Sequence, residues 1–148
     1  FDPKTNKDTL YIAGGLSMSG TCTLATVDFP SLKVTTVGTV KEGWPELSGT
    51  GDGSLWGFYP SQASYKAALV RLDPHNGASL ETYYYSNVTE AGSWAMKFWG
   101  GQFWIFVGNS IYAVDRDKPS VAKSIMTNTG RNIVGAGVST CAPLLKGK

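Results

Sequence analysis

Apolar and polar residues alternate in short runs along this chain, and the runs return at long intervals. Leu10-Tyr11-Ile12-Ala13, Leu55-Trp56-Gly57-Phe58 and Phe103-Trp104-Ile105-Phe106 are three versions of one aromatic strand pattern, starting 45 and then 48 residues apart. Each is followed by a second run that ends in aspartate: Leu24 to Asp28, Leu69 to Asp73 and Ile111 to Asp115, with the aspartates 45 and 42 residues apart. A turn and a third strand-like run come next, over Lys33–Val37, Ser79–Tyr85 and Ser120–Met126. No stretch carries apolar residues at helical spacing, and β-branched and aromatic residues fill the runs, so the pattern predicts an all-β protein.

The strands expected in order are Thr9–Ala13, Thr23–Asp28, Lys33–Val37, Leu47–Gly51, Leu55–Tyr59, Ala68–Asp73, Leu80–Ser86, Trp94–Trp99, Phe103–Val107, Ile111–Asp115 and Val121–Met126. A last inner strand is expected over Ile133–Val138. Asn76-Gly77 marks a tight hairpin between two of them. Repeats of about 40 to 50 residues with several short strands each are how β-propeller blades read in sequence, because one sheet cannot cover both of its faces alone. The expected fold is therefore a β-propeller segment of about three four-stranded blades: blade 1 over about 1–43, blade 2 over 44–91, blade 3 over 92–130, the last inner strand within 131–140, and a tail over 141–148. Closed propellers have at least about four blades, so this segment is expected to be completed by a partner chain or by blades upstream of Phe1. Self-association or a missing propeller half follows as a partner.

The Gly-rich run Leu47 to Gly51, the Asp52-Gly53 turn, the aromatic strand Leu55 to Phe58 and the Leu69-Val70-Arg71-Leu72-Asp73 run together resemble the repeats of bacterial secreted and surface β-propeller proteins of the YVTN, NHL and PQQ-like kind. The stretch from Ile133 to Pro143 is similar to the end of such domains. What the resemblance implies is a secreted or cell-surface location and a binding or scaffold role, with no particular chemistry.

Composition narrows the picture further. With 42% hydrophobic and 16% charged residues in 148, the chain can bury a core and is not disordered. A net charge of +2, scattered along the sequence, gives no reason to expect nucleic acid. No apolar run approaches the roughly 20 residues a membrane-spanning helix needs. Cys22 and Cys141 are 119 residues apart, so no close-spaced thiol motif exists; they either form a disulfide, as suits an exported protein, or stay unpaired.

Candidate chemistry is sparse. A nucleophilic triad needs a base, and the single histidine, His75, stands in a Pro-x-Asn-Gly turn. Histidine, cysteine and acidic residues are dispersed, so no metal or other cofactor is expected. Asp28, Asp73 and Asp115 share one repeat position, which suits a structural task such as bonding turn amides. Loop aromatics flanked by polar side chains are what stacking on a sugar ring requires. Connections between blades and one set of loops share one end of a propeller, so the expected ligand face combines Trp44, Glu46, Tyr59, Tyr65, Trp94, Asn109, Arg131 and Asn132, with Lys97 directed toward a central channel. Asn87-Val88-Thr89 is a glycosylation sequon. The leading expectation is a non-enzymatic extracytoplasmic module binding a glycan or protein. The alternatives are an assembly protein that builds an oligomer or fibre through open blade edges, and a fragment of a propeller hydrolase or lyase.

Overall fold

The computed structural model describes residues 1, 3–15, 22–41, 43–61, 66–89 and 91–138. Among these there is no helix; eleven strands form three antiparallel sheets. The first sheet holds β1 (Leu10–Gly14), β2 (Cys22–Val27) and β3 (Val34–Val40) in chain order. The second holds β4 (Glu46–Gly49), β5 (Leu55–Tyr59), β6 (Ala67–Leu72) and β7 (Ser79–Tyr85), and the third β8 (Trp94–Trp99), β9 (Gln102–Val107), β10 (Ser110–Asp115) and β11 (Ala122–Met126). All are up-and-down meanders, the simplest way for consecutive strands to satisfy each other's backbone groups.

Short local devices fix each hairpin. In the β6–β7 turn the Asp73 carboxylate accepts the backbone N–H of His75 (2.8 Å) and the side-chain amide of Asn76 (3.1 Å). Asp115 repeats the first of these bonds, accepting from the Asp117 N–H at 3.0 Å, so the shared aspartate position is a turn device in both. Asp52 does the same between β4 and β5, accepting from the buried Thr50 hydroxyl (2.6 Å) and the Ser54 N–H (3.0 Å).

Burial follows the pleat, in which successive side chains point to opposite faces. In β9, Phe103, Ile105 and Val107 are buried while Gln102, Trp104 and Phe106 are half-buried, so one face of the third sheet is covered more fully than the other. In β5 all five residues are buried.

The chain divides into two compact units, one made of Phe1–Tyr59 with Val70–Thr82 and the other of Pro60–Leu69 with Tyr83–Lys148. Within the first, the end of β3 receives the β6–β7 turn. A Cβ on Gly38 would lie 1.9 Å from the Asn76 carbonyl oxygen, and one on Gly77 would lie 3.2 Å from a methyl of Val40. Within the second, the end of β7 meets the β10–β11 turn in the same way: the Tyr85 hydroxyl donates to the Pro119 carbonyl (2.6 Å), and the Asn87 amide donates to the Ala122 carbonyl (2.8 Å). Val40 and Tyr85 are 45 residues apart and Gly77 and Pro119 are 42 apart, the spacings of the repeat itself, so one packing step occurs twice.

The inner strand expected over 131–140 is not formed in its described part. Residues 132–138 lie in no strand, with Val134 exposed, because a strand needs a neighbouring edge and, among the described residues, this segment's one backbone bond is at its start, from the Ile133 N–H to the Gly108 carbonyl (2.8 Å).

Candidate functional site

The β9–β10 turn is only Gly108 and Asn109, and a polar loop after β11 folds back over it. Gly108 has a φ of +59°, and a Cβ there would come within 2.9 Å of the Ala91 side chain, so glycine is what the tight reversal admits. Backbone bonds hold the loop in place: Thr129 N–H to the Asn109 carbonyl (2.8 Å), Ile133 N–H to the Gly108 carbonyl (2.8 Å), and Gly108 N–H to the Ser93 carbonyl (2.9 Å). The Ser110 hydroxyl adds a bond to the Thr127 carbonyl at 3.0 Å.

These contacts leave an open depression of about 450 Å³ lined by Gly108, Asn109, Asn128, Gly130, Arg131 and Asn132. Its polar groups are held by one another. The Asn109 amide donates to the Asn128 side-chain oxygen (3.2 Å), which also accepts from the Gly130 N–H (2.8 Å), and the Ser93 hydroxyl donates to the Asn132 side-chain oxygen (2.7 Å). Those bonds engage the side-chain oxygens and leave the amide nitrogens of exposed Asn128 and Asn132 as donors. Arg131 is exposed, its guanidinium touching the Gly130 carbonyl at 3.4 Å, and among the described residues no acidic side chain lines the depression. The arrangement offers several amide donors on a hydrogen-bonded loop, with one exposed positive charge beside them.

Of the residues expected at a ligand face, Asn109, Arg131 and Asn132 come together here. Trp94 begins β8, half-buried, next in sequence to the Ser93 that anchors Asn132. The others are elsewhere. Tyr59 is a buried residue of β5 and has no face to offer a ligand, because both sides of that strand are covered. Trp44 is half-buried with its indole nitrogen enclosed, and Glu46 opens β4 opposite Phe58. Lys97 stands opposite Trp104 in register and so shares the less buried face of the third sheet with it. Tyr65 lies outside the described residues.

The sequon asparagine, Asn87, uses its amide to hold Ala122 of β11. Cys22 is a buried free thiol that burial pushes above the ordinary cysteine range, and Cys141 lies outside the described residues. His75 is exposed in its turn, and among the described residues no three histidine, cysteine, aspartate or glutamate side chains come together to hold a metal. Asn128 and Gly130 escaped the sequence reading. Thr127-Asn128-Thr129-Gly130-Arg131-Asn132 reads as a polar connector, and only the Asn-x-Gly spacing hints at a built turn.

No family model, curated protein or solved structure matched the chain in comparison.

Proposed function

We propose that the chain is an extracytoplasmic glycan-binding module, its three sheets being blades of a β-propeller and its ligand lying in the depression between the β9–β10 turn and residues 128–132. The observation that carries the reading is the gathering of Asn109, Asn128, Arg131 and Asn132 around one open depression of about 450 Å³, with Asn109 bonded to Asn128 and Asn132 held by Ser93. Amide and guanidinium donors suit the vicinal hydroxyls and ring oxygens of a sugar, and holding the asparagines in advance lowers the ordering cost of binding. No large apolar residue lines the depression, whereas sites for drug-sized ligands and cofactors are mostly walled by such residues. A propeller is supported by the 42-to-48-residue repeat and by the packing step that occurs twice.

The test is a glycan array carrying neutral and acidic oligosaccharides, probed with the full chain and with Arg131→Ala and Asn128→Ala. The reading expects a hit that each substitution weakens about tenfold or more, equivalent to about 1.4 kcal/mol. Binding to no glycan, or binding that both substitutions leave intact, would remove it.

A further inference from the structure

The repeat carries an assignment for the two sheet faces left uncovered. In the first sheet, Ala13, Leu24 and Gly38 stand opposite one another and share a face, and it is at Gly38 that the following sheet's turn is received. Moved along the repeat, the strand positions of Tyr11 and Ala13 become Trp56 and Phe58 in β5 and then Trp104 and Phe106 in β9. Trp56 is 4% and Phe58 0% exposed, whereas Trp104 and Phe106 are half-buried. Around them, on the same face by register, Trp99 is 50% and Met126 47% exposed. The third sheet therefore leaves partly exposed the kind of face that receives the next sheet in this chain, although Ala95 and Ala113 on the same face are buried.

The opposite face of the first sheet is uncovered as well. Leu10 is 47% and Ile12 41% exposed, with Val34 on the same side by register, while Leu55 and Gly57, at the equivalent positions of β5, are buried. Apolar side chains left exposed together on one sheet face mark interaction surfaces, and on the third sheet Lys97 and Gln102 lie among them. The two patches are unlike each other and belong to opposite faces of one repeating unit, so each matches what the other lacks.

We infer that two copies of this chain associate head to tail, the Trp99–Trp104–Phe106 face of one packing on the Leu10–Ile12–Val34 face of the other. The contact repeats a step the chain already makes internally, and β11 is placed to use it: β3 and β7 end in Val40 and Tyr85, at 0% and 2% exposure, but β11 ends in exposed Ile125 and Met126. A heterologous contact of this kind closes into a ring when its rotation allows and otherwise extends. The inference does not use the depression near Arg131, so the two stand or fall separately.

Light scattering on the full chain tests it. Wild type is expected at twice the chain mass of 15.8 kDa or above. Ile12→Glu on one face, and Trp104→Glu or Met126→Glu on the other, are each expected to give the single-chain mass, with circular dichroism confirming that the sheets persist. An equimolar mixture of Ile12→Glu and Met126→Glu keeps one intact face from each partner and is expected to recover the two-chain species. A wild type that stays at 15.8 kDa at every concentration overturns the inference. So does association that Met126→Glu abolishes and Ile12→Glu leaves untouched, because the third sheet would then be meeting itself.

Discussion

Tyr85 shows how one side chain can carry a packing step. It is buried, its hydroxyl donates to the Pro119 carbonyl at 2.6 Å, and burial together with the nearby Tyr83 pushes its ionisation well above the usual tyrosine range. Because the folded-state value is raised, the stabilisation is complete below the unfolded value of about 10 and is lost as pH rises beyond it. Alkaline titration followed by tyrosinate absorbance should show a tyrosine that ionises only as the protein unfolds, and Tyr85→Phe should remove that late step and cost about 1 kcal/mol. A Tyr85→Phe protein with an unchanged titration curve would mean that the hydroxyl is open to solvent. The aspartates at 73 and 115 are a second case in which one position has one task, and that task was legible in the sequence: short acceptors before turns bond the amides two residues ahead. What could not be read was exposure. Tyr59 looks like a loop-edge aromatic, yet it is core, because alternation within β5 does not reveal that both faces of the strand are covered.

Strands were the most legible elements. Each run of alternating apolar residues through Met126 became a strand, with ends displaced by at most a few residues, since turn chemistry brackets nearly every run. Ile133–Val138 has the same composition as a strand and is not one over its described residues, because strand formation depends on an available edge that composition does not report. The packing between elements in the first compact unit is testable at Gly38, where an added Cβ would lie 1.9 Å from the Asn76 backbone oxygen. Gly38→Ala should destabilise the protein by roughly 1–3 kcal/mol in urea unfolding, as overpacking does. Gly14→Ala, where nothing lies within 4 Å of the added carbon, should change stability by no more than a few tenths. Equal effects at the two positions would show that β3 does not receive the β6–β7 turn. The loop at 127–132 was the least legible element, because its bonds run to the β9–β10 turn about 20 residues away and leave no periodic trace in sequence.

Taken as a whole, the chain spends its sequence on repeating one sheet and departs from the repeat where function is proposed. Asn109, Asn128, Arg131 and Asn132 line an open depression, and the first and third sheets each leave apolar side chains exposed. Such a division suits a module whose scaffold is generic and whose specificity lies in one loop cluster. Titrating isotope-labelled protein with the best array glycan, while following every backbone amide by NMR, tests the central claim most directly. The account predicts shifts concentrated at Gly108, Asn109 and Asn128 through Asn132, with β1 to β3 unmoved; shifts centred on Trp44 and Glu46, or spread evenly over the chain, would contradict it.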